Sequence, residues 1–468
     1  MADDEVEHRR SPHERPRPRR ARTPGPSAAD AVRAPLFPTV PGSLVRRAPT
    51  TLASEPSAGR RPLVTDALLY GGSLGFTVLV VTGSSVVTHR LWAGLATVAY
   101  GAGAAGCAVL AWRRRSIEPR ALSRARAVIL GVVVGGAVLL PLAVAVALRD
   151  LVGPAFTHDE VLTTERAGAS LLEGASPYDH TSTPADAEPR RFPYLPLMAA
   201  FGLPRALSPA PAVTDARVWF LAVALAVAGA ALVIWAPTPE VTIRVVQLTV
   251  ALPTGAMGAV AGGHDLVVLS LMLASLGLHR AGRLGGSALV ASLAGLLKAT
   301  AWPLWIALGA RWALSERRTQ SGRAIGLRLA VLPAGLAAMA VWDGPGLFAD
   351  TILFPLGGLS RVALRRSPEW ADVVPEAHSA VMLALAGMAI LTAVAILLTA
   401  VLGGSTSSIA RAAASIAAAG VLLAGPAARP GLLLYPALLA MWSFLLARPL
   451  SGAGRTREIG GGAHGHQR

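Results

Sequence analysis

The chain has 468 residues, 53% of them hydrophobic and only 15% charged, with a net charge of +16 and a mean hydropathy of +0.51. Soluble domains carry roughly a quarter charged residues, so an ordinary soluble fold is excluded. Apolar runs reach the roughly 20 residues that cross a bilayer as helix, and the short alternating segments of a β-barrel are absent.

The positive balance does not point to nucleic acid. The arginines gather in the tails and in short loops between apolar runs, as cytoplasmic segments of membrane proteins do. The single cysteine, Cys107, lies in an apolar run and is expected to pack there.

Residues 1–62 are rich in Arg, Pro and Ser without apolar period. They are expected to be a disordered, basic cytoplasmic tail, and they lack the apolar core of a signal peptide. Spans are expected near 66–87, 92–112 and 127–148, with "RRRSIEPRALSRAR" as a cytoplasmic loop after the second. A long polar outer loop, 149–212, follows. Further spans are expected near 213–236, 241–260 and 265–279, the last ending in basic "HRAGR".

Residues 284–314 are apolar apart from Lys298 and Arg311, and Lys298 is the only lysine in the chain. One helix of that length would run about 46 Å, against a hydrocarbon core of about 30 Å. Basic segments on both sides favour a hairpin, with "KATAWP" at its outer tip and Pro303 in the first turn of the returning arm. A span at 325–342 then leads to a second outer loop, 343–378. Spans near 379–402, 408–425 and 430–447 precede a cytoplasmic tail, 448–468. The fold class is an all-α polytopic membrane protein, 63–447, of about twelve spans, or about eleven if 284–314 is one span.

Chemistry-bearing residues collect on the expected outer face. "FTHDEVLTTERAGASLLEGASPYDH" places Asp159 and Glu160 just beyond a span, at the head of an amphipathic interfacial helix. "GGHDLVVLSLML" opens a span with His264 and Asp265. Ionisable groups at that depth line wet cavities or functional sites, although Asp265 also suits a helix N-terminus. "SRVALRRSPEW" puts Arg361, Arg365 and Arg366 on the outer face against the usual bias. Phosphate binding, or pairing with Asp350, Glu369, Asp372 or the acidic first outer loop, would explain them. Tyr178, Tyr194 and Trp302 are stacking candidates, with belt anchoring the favoured role for Tyr194 and Trp302. His158, Asp159, His264 and Asp265 could converge on a metal, but their spacing is not that of a metal site, and no metal or cofactor is expected.

In order, a membrane-boundary "DE", a "GASPY" ending the next helix, "YLPL", "GGHD" and "GLLKATAWP" resemble the outer elements of the GT-C superfamily. Within it, they are similar to bacterial mannosyltransferases of glycosyltransferase family 87. The similarity covers roughly residues 156–305, with vaguer likeness at "FPLGGLSRV". Two extra spans precede the acidic loop, and Gly-His-Asp stands where relatives carry Gly-Gln-Asn-like residues. The resemblance implies transfer of a sugar, mannose in that branch, from a polyprenyl-phosphate donor to a lipid or glycan acceptor on the extracytoplasmic face of the plasma membrane. It implies Asp159 as the base, with Glu160 next. It implies Lys298, His264, Asp265, Arg361, Arg365 and Tyr178 around donor sugar and phosphate. Membrane lipids are the expected surroundings, and nucleic acid is not a partner. A transporter or lipid flippase is the alternative, with Lys298 then near mid-bilayer, and a non-catalytic scaffold is a third reading.

Overall fold

The computed structural model describes residues 60–113, 118–178, 191–208, 211–315, 320–354, 403–424 and 430–448, with isolated positions between 387 and 398. All of them belong to one unit, Glu55–Arg468. The expected tails, 1–62 and 448–468, lie outside the described residues apart from 60–62 and 448.

Among the described residues the fold is helical, without strands. In order, the longer helices are α1 (Arg60–Gly83), α2 (Val87–Arg113), α3 (Pro119–Val152), α4 (Asp159–Leu172), α5 (Ala216–Trp235), α6 (Pro239–Ala251), α7 (Pro253–Ala261), α8 (His264–Arg280), α9 (Leu284–Leu297), α10 (Trp302–Ser315), α11 (Gln320–Leu353), α12 (Thr406–Ala424) and α13 (Leu434–Leu446). Five of them, α1, α2, α3, α5 and α11, are long and apolar enough to cross a membrane. The α6–α7 pair, bent by 45°, is a sixth if it counts as one span. Large apolar side chains on these helices face outward, Leu68, Val98, Val233 and Val341 among them, as lipid-facing surface requires.

The shorter helices account for the difference from the expected count. α9 and α10 have 14 residues each, about 21 Å of helix. α8 has 17 residues. The expected span 379–402 falls mostly outside the described residues.

Packing follows sequence spacing. Ala93, Ala96, Tyr100, Gly103, Cys107 and Ala111 recur every three or four residues on α2, and they form its buried face. Small residues let α1 and α3 approach that face closely, as in other lipid-embedded helix pairs. α8 is buried on almost every side, which is where an all-round apolar helix belongs. Where the core takes charge, it is paired: Asp66 of α1 accepts from Arg126 of α3 at 2.5 Å and from Arg244 of α6 at 2.5 Å.

Two returns of the chain fix the register. Ser275 of α8 donates to the Ser287 carbonyl of α9 at 2.9 Å, so α9 runs back along α8 from the Gly282 turn. Trp302 donates to the Gly295 carbonyl, and Trp305 to the Ser292 hydroxyl. These pairs step in opposite directions, so α10 folds back on α9. The break falls at Lys298, whose backbone is extended, and Pro303 sits in the first turn of α10. Residues 284–314 are therefore two antiparallel arms.

α4 is held against the 3-10 segment Pro196–Gly202 by a glycine pair. A Cβ at Gly168 would overlap the Gly202 backbone. Gly168→Ala is expected to lower stability by about 1–3 kcal/mol through overpacking. Gly94→Ala, with nothing within 4 Å of the added carbon, should change little. Thermal unfolding of both variants in the same detergent checks this.

Candidate functional site

The site begins at the break between α7 and α8. Gly263 has φ +78°, a left-handed conformation that glycine adopts without penalty. A Cβ there would meet Phe220 at 3.0 Å. Gly262 faces the Glu160 carboxylate, which a side chain would displace. The two glycines of "GGHD" thus turn the chain and admit Glu160, and His264 and Asp265 fall in the first turn of α8.

The α8–α9 register brings Lys298, at the end of α9, beside the start of α8. Its ammonium donates to Asp265 Oδ1 at 2.6 Å and to His264 Nε2 at 2.9 Å. Tyr435, at the start of α13, also donates to Asp265 Oδ1. An ammonium has no lone pair to offer, so His264 Nε2 must accept, and the ring proton sits on Nδ1. His264 Nδ1 lies 3.4 Å from Glu160 Oε2, aimed at it without the alignment of a hydrogen bond. His158 caps α4, its ring accepting from the Glu160 amide at 3.5 Å.

Glu160 stands at the head of α4. Burial works to raise its carboxyl, and the electrostatic pull of His264, His158 and Lys298 outweighs it, holding Glu160 below the ordinary glutamate range. It is ionised at neutral pH. With His264 neutral, Lys298 balances Asp265 and Glu160 leaves the cluster one negative charge.

An aromatic wall closes one side. The Tyr194 ring packs against His264 with centroids 4.9 Å apart. Lys298 Nζ lies 5.8 Å from the Tyr194 ring centroid and 5.7 Å from that of Tyr435, within cation–π reach. Tyr178 is buried and donates to the Tyr194 carbonyl at 2.9 Å. The segment carrying Tyr194 is anchored further: the Phe192 amide donates to buried Asp350 at 2.8 Å, and the Leu195 amide donates to the Leu297 carbonyl at 3.1 Å.

A second charged group fixes α4. Arg149 at the end of α3 donates to both Glu165 oxygens, at 2.8 and 2.6 Å, and to Asp215 at 2.7 Å. Asp215 caps α5 and also accepts from Arg217. Arg217 in turn reaches the carbonyls of Phe156 and Val260. The ends of α3 and α7 and the starts of α4 and α5 are thereby clamped around Glu160.

Of the residues singled out in sequence, Glu160, His264, Asp265 and Lys298 come together. Asp159 is exposed and outside the cluster. Tyr178 supports Tyr194 from behind, rather than facing an open space. Trp302 bonds within the α9–α10 hairpin. Arg361, Arg365 and Arg366 lie outside the described residues. Lys298 is no bare cation, because Asp265 neutralises it. The ammonium bridges His264 and Asp265 where a metal would have to sit. Among the described residues, no group of three or more His, Cys, Asp or Glu could hold a metal ion. Sequence reasoning missed Tyr435 and gave Tyr194 to the membrane belt.

No family model matches the chain, and no curated protein or solved structure matches it.

Proposed function

We propose that the chain is an integral-membrane glycosyltransferase with a GT-C-like bundle of about twelve spans. It moves a sugar, mannose by the motif resemblance, from a polyprenyl-phosphate donor to a hydroxyl of a lipid or glycan acceptor. In this reading the cluster faces the extracytoplasmic side of the plasma membrane, and both termini are cytoplasmic. The observation that carries it is the Glu160 carboxylate held 3.4 Å from the His264 ring at the ends of α7, α8 and α9. That is a positioned base beside a membrane-boundary helix.

Glu160 takes the proton of the acceptor hydroxyl. The acceptor oxygen attacks C1 of the sugar, the C1–O bond to phosphate breaks, and the electron pair leaves with the polyprenyl phosphate. Asp265, Lys298 and Tyr435 hold His264 behind Glu160. Positive charge for the departing phosphate falls to Arg361, Arg365 and Arg366, since Lys298 is already balanced.

The pH profile follows from Glu160. Its lowered folded-state pKa means that transfer should stay level as pH falls through the ordinary glutamate range, and drop only below it. The stability Glu160 contributes has the same sign: full above its unfolded pKa, and lost as pH falls through the depressed folded value. An acid limb centred above the ordinary range would assign the base to another group. Transfer of labelled sugar by the purified protein provides both the activity and the profile.

A transporter is the second reading, favoured by one observation: the cluster sits where helices break, at Gly262–Gly263 and at Lys298. Proton-driven flux in proteoliposomes, without sugar transfer, would select it.

A further inference from the structure

The far end of the bundle carries a different site. α13 begins with Tyr435 on the Asp265 cluster and reaches Leu445 about 15 Å further along its axis. There α1, α6 and α13 frame an open groove of about 430 Å³. Its lining includes the cations Arg61, Arg244 and Arg448 and the apolar Leu248, Met441 and Phe444, and Phe444 is 70% exposed.

The charges are unevenly matched. Arg244 is held by Asp66 at 2.5 Å and by Gln247 at 2.8 Å. Glu240, the carboxylate on the groove, is bound to buried Arg126. Arg61 and Arg448 are exposed, and no side-chain partner holds either of them among the described residues. Exposed guanidiniums beside apolar side chains, at the start of membrane-length α1 and the end of the shorter apolar α13, match an amphipathic anion. The C-terminal segment that follows Arg448 is a poor occupant, because Arg455, Arg457 and Arg468 outnumber Glu458 and would be repelled.

We infer that this groove binds an anionic phospholipid, its phosphodiester on Arg61 and Arg448 and its acyl chains along Phe444, Met441 and Leu248. Basic pockets between membrane helices recognise such headgroups. Arginine suits the task, because its planar fork pairs two phosphate oxygens at once. The site is independent of the glycosyl-transfer reading, since it shares no residue with the Glu160 cluster.

The test is thermal unfolding of the purified full chain in detergent, titrated with dioleoyl phosphatidylglycerol. A ligand of the folded state raises the midpoint in proportion to its occupancy. Phosphatidylglycerol should raise it in a saturable way, while dioleoyl phosphatidylcholine and inorganic phosphate should not. Arg61→Gln combined with Arg448→Gln should weaken the apparent affinity roughly twenty-five-fold, at about a factor of five for each arginine beside an anionic headgroup. Neither side chain holds a described partner, so the variant keeps its core. Arg120→Gln with Arg124→Gln removes the same charge from exposed positions off the groove and should leave the affinity unchanged. An equal shift with phosphatidylcholine overturns the proposal, as does an unaltered affinity in the groove variant. A shift with inorganic phosphate alone would assign a soluble anion instead.

Discussion

Glu160→Gln is expected to reduce sugar transfer by about 10²–10⁴-fold, the usual contribution of a positioned base, while the protein stays folded. The amide keeps the size of the carboxylate and removes its charge and basicity. The amide can still hydrogen-bond in place of the carboxylate, so the loss should fall on turnover more than on stability. Asp159→Asn is the paired control. Asp159 is exposed, and its change should alter transfer by less than about threefold, against the much larger effect of losing a true base. The motif resemblance points first to Asp159, and the geometry points to Glu160. The two variants separate these assignments, with circular dichroism and thermal unfolding confirming the fold.

The second large effect is expected at Lys298. Lys298→Met removes the cation from Asp265 and the donor from His264. Breaking a buried pair from one side costs roughly 3–5 kcal/mol. The low end applies here, because 26% of the Asp265 side-chain surface is exposed and Tyr435 still donates to it. Lys298→Arg should be milder for stability and still reduce transfer about tenfold or more. A point charge meets two acceptors at 2.6 and 2.9 Å between two tyrosine rings, and a planar fork cannot reproduce that bridge. Because His264 would lose its fixed tautomer, the variant's pH profile should move as well. An unchanged rate and profile in Lys298→Arg would make the lysine incidental.

The lone lysine is legible in the sequence as an oddity, and its location at a helix break follows from the length of 284–314. Its partners are legible too, once the α8–α9 turn is placed, because antiparallel register carries the start of one helix to the end of the next. Tyr435 is not legible. It reaches Asp265 across 170 residues, and "LLLYPALL" reads as any apolar span with an interfacial tyrosine.

The choice between Asp159 and Glu160 depends on helix phase. Val161, Thr164, Glu165 and Gly168 are buried on α4. At about 100° per residue, and with Thr163 and Ala167 also buried, Asp159 falls on the far side of the helix from the centre of that face and Glu160 at its edge. Neighbouring acids look equivalent until the packing partner is known. The polar positions of that face, Thr164 and Glu165, also blur its apolar period, because Glu165 is buried by pairing with Arg149 rather than by hydrophobicity. Span counting was limited for a related reason. Hydropathy sees the apolar stretches that become α9 and α10, but not that their close contacts are with other helices at less than membrane thickness.

The most direct test of the central claim is an in vitro assay of the purified chain with a panel of labelled polyprenyl-phosphate sugars and a lipid or glycan acceptor extract. Transfer from one of these donors, abolished by Glu160→Gln and retained by Asp159→Asn, is the predicted result. Folded protein that transfers no sugar from any donor, or transfer that survives Glu160→Gln at the parental rate, would contradict it.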